Sequence, residues 1–319
     1  MDKLDLKDRK ILYYLDFDSR QSFRSLGKKV GLSKDIVASR VKKLQDNGII
    51  TSFYSVIDYS ILGFSLYRFY FSFQNVTAEI KKEIIDYFTN NRFVDTVLSL
   101  EGNFDLMMAI LVENYPQAND FWQKTLKRYG KYFSKRVFTA FTLEEYYAHR
   151  FLLNEKKESP VMIHQWVDSG KNIDIDELDN QILKLISNDT RSSSVDIAKQ
   201  LDTTSAVVHY RLKKLMESKI IIAFRIDIDF PKIGFFPYKV DIELNRFDDF
   251  DKIVNYIKSN PNFMYFCKTI GYVDLEVGFI LRNSYELNQI MEDLISKFPD
   301  AIKNYEYFSI LKIHKTYGF

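Results

Sequence analysis

The sequence predicts an α+β chain that repeats itself, each copy a small three-helix unit followed by a βαββαβ unit. Three observations predict it: a long-period internal repeat, three successive helical patterns in the first third of each copy, and alternating strand and helix patterns through the rest. Residues 4–64 align without a gap onto 175–235 at an offset of 171. Ile11-Leu12 meets Ile182-Leu183, Arg20 meets Arg191, and Arg40-x-Lys42-Lys43-Leu44 meets Arg211-x-Lys213-Lys214-Leu215. Further on the offset is 169, where Gly102-x-x-Asp105-Leu106 meets Gly271-x-x-Asp274-Leu275. A unit of roughly 150 residues is far longer than a solenoid module, so a whole protein has been duplicated and fused.

Residues 4–50 read as three short helices. Ile11, Leu12 and Leu15 stripe the first, Phe23, Leu26 and Val30 the second, and Val37, Val41 and Leu44 the third. Gly31 breaks the chain after the second helix, and Ser33 is a ready N-cap for the third. Gly48-Ile49-Ile50 then leads into strand-like Phe53–Ile57, the pattern of a winged helix-turn-helix. From Gly63 the spacing predicts strand 67–73, helix 78–90, strands 94–100 and 106–112 around a turn at Gly102, helix 118–129 and strand 137–141. That order is ferredoxin-like, with both helices on one face of an antiparallel sheet. The predicted division is 1–62 (winged helix-turn-helix with linking strand), 63–153 (ferredoxin-like), 154–173 (connector), 174–233 and 234–319. In the connector, Val161-Met162-Ile163 and Trp166 predict docking on the body of the protein.

Composition narrows the function. The chain has 319 residues, 46% of them hydrophobic and 16% aromatic, which excludes disordered and fibrous classes. A single cysteine, Cys267, excludes a disulfide framework and a cysteine-ligated zinc. Four scattered histidines show no metal-ligand spacing, and no apolar run suits a signal or membrane span, so a cytoplasmic protein without metal or cofactor is expected. Net charge is only +2, so any nucleic-acid role rests on local charge. That charge is uneven: 4–50 holds 11 Lys/Arg against 6 Asp/Glu, whereas 175–221 holds 7 against 7.

The run Asp18-Ser19-Arg20, Leu26, Gly31-Leu32-Ser33, Val37-x-x-Arg40-Val41-x-x-Leu44-x-x-x-Gly48-Ile49-Ile50 resembles the Lrp/AsnC family of transcription regulators, in a tandem two-copy form of archaeal type. The Gly102-x-x-Asp105 turn in a βαββαβ unit resembles that family's effector-sensing domain. The resemblance implies double-stranded DNA as partner and pairing of the βαββαβ units into a sandwich, here an intrachain pseudo-dimer. It further implies a small effector, such as an amino acid, sensed beside the Gly-x-x-Asp turn. Apart from the resemblance, the absence of a long apolar run predicts no membrane partner, and exposed sheet or helix surfaces leave room for homo-oligomers of pseudo-dimeric chains.

Lys34, Ser39, Arg40 and Lys43 lie off the apolar stripe of the third helix, and with Ser33 they are the candidate DNA contacts of the first copy. In the second copy the candidates are Thr204, Ser205, His209, Tyr210, Arg211 and Lys214. The plain alternative is a solvated basic helix face, and for Arg40 and Arg211 a clamp onto the preceding helix. His209-Tyr210 replaces Ala38-Ser39, so the two helices are expected to read different bases in two unequal half-sites. The candidate effector residues are Gly102, Asn103, Asp105, Gly271, Tyr272 and Asp274, the alternative being turn glycines and capping carboxylates. Cys267 and Trp122 read as core, and His149 and His314 as lone, non-catalytic histidines.

The expected function is therefore a DNA-binding transcription regulator, not an enzyme. The rival is a siroheme decarboxylase-like enzyme of similar build, for which His149, His314, Lys312 and Lys315 are the only obvious substrate-holding candidates. A third reading is an interaction module that no longer binds DNA.

Overall fold

The computed structural model describes residues 4–153, 160–167, 170 and 172–316. The first copy runs α1 (Leu6–Phe17), α2 (Phe23–Val30), α3 (Lys34–Asp46), β1 (Ile50–Ile57), β2 (Ser65–Phe73), α4 (Ala78–Thr89), β3 (Val94–Glu101), β4 (Leu106–Val112), α5 (Tyr115–Tyr129) and β5 (Phe133–Tyr147). After β6 (Met162–Val167) the second copy follows: α6 (Glu177–Asn188), α7 (Ser194–Gln200), α8 (Ser205–Glu217), β7 (Ile221–Ile228) and β8 (Phe236–Leu244). It ends with α9 (Phe250–Ser259), β9 (Phe263–Gly271), β10 (Leu275–Leu281), α10 (Ser284–Lys297) and β11 (Ile302–Lys315).

Each three-helix head closes around the predicted stripe. Ile11, Leu12, Leu15, Leu26, Val37, Val41 and Leu44 are buried in the first, and Ile182, Leu183, Ile197, Val208, Leu212 and Leu215 in the second. Side-chain caps start the helices: Asp5, Ser22 and Ser33 accept from the N–H groups of Asp8, Ser25 and Ile36. The expected wing takes a different form. Each copy has chain for only one strand between its third helix and its βαββαβ unit, so β1 finds its hydrogen-bond partner in β7, antiparallel from Ile50↔Ile228 to Ile57↔Ile221. The ribbon therefore belongs to both copies. It is bolted by reciprocal bonds: Ser19 N donates to Phe224 O (2.9 Å) and Thr190 N to Phe53 O (2.9 Å). Arg20 Nη1 reaches Thr190 O (2.7 Å) and Arg191 Nη1 reaches Ser19 O (2.6 Å).

The βαββαβ units also differ from the sandwich that the resemblance implied. Each forms its sheet in the order β5-β2-β4-β3 or β11-β8-β10-β9, and the two join at both edges, β3 on β11 and β5 on β9. The result is a closed eight-stranded antiparallel barrel, which leaves neither sheet edge of the eight unpaired. Helices α4 and α5 cover the outside of one half, burying Ile84, Phe88 and Phe121 against Phe69, Phe71 and Met108. Trp122 stacks on Phe69 at 4.6 Å between ring centres. On the other half, α9 and α10 bury Ile253, Ile257, Met291 and Leu294.

Of the expected connector, residues 154–159, 168–169 and 171 lie outside the described residues. Its 162–167 stretch, β6, pairs with the end of β5 and buries Trp166, while Val161 and Met162 are exposed. Among the described residues no helix is long and apolar enough to cross a membrane, and no group of three His, Cys, Asp or Glu side chains is placed to hold a metal ion.

Candidate functional site

The outward faces of α3 and α8 carry the first set of candidates. Burying Val37, Val41 and Leu44 leaves Lys34, Ser39 and Lys43 exposed; burying Val208, Leu212 and Leu215 does the same for Ser205, His209, Tyr210 and Lys214. Tyr210 is 65% exposed, the most prominent apolar surface on α8. Ser33 and Thr204 are N-caps, each accepting a backbone N–H at 3.3 Å. Arg40 and Arg211 take the clamp geometry, onto the first helix of the head instead of the preceding one. Arg40 Nη1 lies 2.7 Å from Asp5 and 2.8 Å from Asp8, and Arg211 Nη1 pairs with Asp176 and, at 3.2 Å, Asp179. Hydrogen bonds to these carboxylates raise the pKa of both guanidinium groups.

The Gly-x-x-Asp turns meet at the barrel end remote from the heads. Phe104 of one turn packs edge-on to Tyr272 of the other, with ring centres 5.6 Å apart. Tyr272 OH donates to Glu306, whose carboxylate Asn103 also bonds. The glycines are where the copies touch. A Cβ on Gly102 would sit 2.9 Å from Tyr307 O of the other copy, and one on Gly271 2.8 Å from Phe138 O, with φ of +141° and +125°. The aspartates brace the sheet: Asp105 Oδ2 accepts Phe73 N (2.7 Å) and Asp274 Oδ2 accepts Leu244 N (2.8 Å). Beside Gly102 opens a polar cavity of about 590 Å³ with Glu101, Asn103, Tyr238 and Glu306 in its wall. Its counterpart in the other half is about 250 Å³ and aromatic, walled by Tyr67, Tyr115, Trp122 and Phe138.

At the opposite end a buried ion pair ties the ribbon to the first head. Arg225 on β7 is 2% exposed at its side chain and donates from Nε and Nη2 to the two oxygens of Asp16 on α1, each at 2.9 Å. His149 Nδ1 lies 3.3 Å from Asp16 Oδ2, and burial pulls its pKa down to about 4 although Asp16 opposes this. His314, near the end of the other copy's last strand, bonds Ser99 Oγ at 2.8 Å.

Inside the barrel lies a buried charged cluster. Arg68 and Lys239, matched across the repeat, both pair with Glu276, and Lys239 also pairs with Asp241. Tyr70 OH donates to Glu276 at 3.2 Å, and the Arg68 guanidinium lies 4.1 Å over the Phe141 ring. Burial opposes ionisation of Glu276, but Arg68 and Lys239 hold its pKa down; burial raises those of Asp241 and Glu144. Cys267, buried as expected, donates to Glu144 at 3.3 Å, and burial pushes its thiol up. Sequence reasoning passed over Asp16, Arg225, Glu276 and Asp241. The signal was there: their repeat partners are Ser187, Tyr54, Met107 and Tyr70, so each is a charge facing an uncharged residue across the repeat.

Comparison with known proteins adds three findings. The model of the AsnC-type helix-turn-helix domain matches residues 4–45, and that of a winged helix-turn-helix DNA-binding domain matches 175–222. The HTH-type transcriptional regulator FL11 of Pyrococcus horikoshii is 27% identical over 143 residues, 45% of this chain and 93% of that protein. An uncharacterized HTH-type transcriptional regulator of the same organism is 31% identical over 121 residues, 37% of this chain and 79% of that protein. In overall architecture the chain is similar to the crystal structure of the siroheme decarboxylase NirDL, with a TM-score of 0.65 over 97% of this chain and 92% of that one. At 13% identity that similarity is one of fold.

Proposed function

This chain belongs to the Lrp/AsnC family, and from that premise we propose that it is a cytoplasmic, sequence-specific DNA-binding transcription regulator that reads two unequal half-sites. The observation that carries the reading is the pair of exposed helices α3 and α8 on heads that share one ribbon. A helix-turn-helix head docks such a helix in the major groove, and two heads fixed by a common ribbon set the spacing of half-sites. Lys34 and Lys43 meet phosphates in the first half-site, with Ser39 toward base edges. His209 and Tyr210 read the second, with Ser205 and Lys214 on its backbone. Ser33 and Thr204, which cap the helices, and Arg40 and Arg211, whose Nη1 atoms pair with Asp5 and Asp176, hold the helices in place.

The first head supplies most of the affinity, because phosphate neutralisation releases counterions and its window carries the charge surplus. An effector of amino-acid type fits the polar cavity beside Gly102 better than its aromatic counterpart, with Glu101 and Glu306 as partners for an ammonium group. Asp105 and Asp274 shape the turns. Effector binding at the seam would act by linkage, favouring one placement of the heads over another. Catalysis is not part of this reading.

Selection from a random duplex pool at two salt concentrations tests it. The expected result is an asymmetric two-part motif whose retention falls steeply with salt. Tyr210→Ala should relax one half only, and Lys34→Ala should flatten the log–log salt slope by about 1. An exactly palindromic motif would overturn the unequal half-sites, and no salt-sensitive retention would overturn the regulator.

A further inference from the structure

Where the first head meets the second copy lies a cavity of about 310 Å³, within the ~300–1,000 Å³ usual for small-molecule sites. Its walls come from the start of the first head, the chain just after β5, the turn between β7 and β8, and the residue that follows β10. It lies at the barrel end nearer the heads, away from the Gly-x-x-Asp turns. Lys232 Nζ crosses the junction and donates to Gly48 O at 3.1 Å.

The repeat shows what is particular to this cavity. Its apolar wall is common to both copies: Leu4, Ile49, Ile233 and Phe235 match Ile175, Ile220, Leu62 and Phe64. The backbone is shared as well, since Gly234 and the matched Gly63 take left-handed φ values of +80° and +86°. The charges are not shared. Arg9, Lys232 and Arg282 match Asn180, Ile61 and Glu113, so three separate stretches each bring a cation to this one cavity. No described carboxylate lines it. The acidic groups nearby stand outside the wall and are engaged. Asp229 lies 3.5 Å from Lys232 Nζ and accepts the Lys232 N–H, and Glu286 lies 3.7 Å from Arg282 Nη1 and accepts the Arg282 N–H. Asp5 and Asp8, which flank this end of α1, are held by Arg40.

Three converging cations favour an anion, and the rest of the wall says what kind. The rings of Phe151 and Phe235 have centres 4.6 Å apart, with the Arg282 guanidinium 5.6 Å over Phe235, so a flat apolar face adjoins the charged one. We propose that this cavity is a binding site for a nucleoside monophosphate, its phosphoryl oxygens accepting from Arg9, Lys232 and Arg282 and its base lying against Phe151 and Phe235. A phosphate monoester suits three separate donors better than a carboxylate does, because it offers three acceptor oxygens and a charge of about −2. The same two rings and Arg282 also wall an adjoining cavity of about 720 Å³, which leaves room for the sugar.

An occupant would touch the first head through Arg9 and the second copy through Lys232 and Arg282, and so tie the heads to the barrel. That regulatory consequence rests on the DNA-binding reading; the binding site itself does not.

Calorimetric titration of the full chain with AMP, with adenosine and with inorganic phosphate tests the site. AMP should bind and raise the unfolding temperature, and the other two, each lacking one half of it, should bind at least about tenfold more weakly. Arg282→Glu, Lys232→Ile and Arg9→Asn each install the residue found at the matched position, which the same fold accepts there. Each should weaken AMP binding about tenfold or more. Lys127→Ser, the same kind of exchange on an exposed lysine of α5 outside the cavity, should bind AMP like the parent. No heat with AMP, equal binding of adenosine or of inorganic phosphate, unchanged binding in any cavity variant, or loss with Lys127→Ser would each overturn the site. DNA is the other source of phosphate: loss of duplex retention in Arg282→Glu, without AMP binding by the parent, would assign these cations to a DNA backbone instead. The titrations use no DNA, so failure of the regulator reading leaves them standing. If both hold, AMP should shift DNA affinity in the parent and not in Lys232→Ile.

Discussion

The Asp16–Arg225 pair joins the first head to the ribbon, and the repeat itself supplies the way to test its worth. Asp16 is 1% exposed and Arg225 2%, so removing either leaves the other's charge buried. Arg225→Tyr should therefore cost about 3–5 kcal/mol, and Asp16→Ser a similar amount. Tyr and Ser are the residues at the matched positions, Tyr54 and Ser187, where the other crossing is built and buried without an ion pair. The double variant should recover most of the loss, because both charges leave together. A coupling energy of about 3 kcal/mol in a urea-unfolding double-mutant cycle is expected, and each single variant should unfold about 8–12 °C below the parent. Additive single effects, with a coupling energy below about 0.5 kcal/mol, would refute the view that burial of an unpaired charge is what makes each single change costly.

Acid should destabilise the chain through buried histidines. His149 is held near pKa 4 by burial, against Asp16 and with help from Arg225, and burial likewise drives His164 well below the usual imidazole range. Both rings stay neutral in the folded state while the unfolded chain takes up protons below about pH 6.5, so stability is full above that pH and falls toward pH 4. His149 alone should account for about 3 kcal/mol of that fall, and His149→Leu should make the slope of stability against pH shallower; an unchanged slope would sink the assignment. At the seam, Gly271→Ala adds a clash with Phe138 O to left-handed strain, whereas Gly234→Ala, with φ +80° and open space, adds strain alone. The first should cost about 1–3 kcal/mol more than the second in thermal unfolding, and equal losses would show that the close approach does not matter.

Local pattern carried the heads and most of the sheet. The i, i+4, i+7 stripe of Val37, Val41 and Leu44 is what α3 buries, and strands 94–100 and 106–112 lie within a residue of β3 and β4. Helix α5 begins at Tyr115 instead of 118, because Asn114 caps it and Pro116 fits its first turn, a start signal outweighed by the apolar stripe further on. What stayed hidden is what depends on the partner copy. A lone strand such as β1 gives no sign that it pairs with a strand 171 residues away, and the closing edges of the barrel look like any other strand. Among the site residues, exposure of Lys34, Ser39 and Tyr210 followed from the stripe. The clamp made by Arg40 could not be told from a DNA contact, since both need an arginine off the apolar face. Lys239, Asp241 and Glu276 keep the alternation of their strands, standing between Tyr238, Val240 and Ile242 and between Leu275 and Val277, so they read as solvent-facing until the closed barrel places them inside.

In an ordinary homodimer every change of residue occurs twice, once on each side of the axis. There an arginine at the Arg225 position would bring a second arginine, and an aspartate at the Asp16 position a second aspartate, so a one-sided ion pair has no way to arise. Joining the copies in one chain removes that constraint, because each half can be altered while the other is left alone. It also removes the step in which two subunits must find each other, so occupancy of an operator should follow the amount of this chain in simple proportion, without the steep threshold that a dissociating dimer imposes.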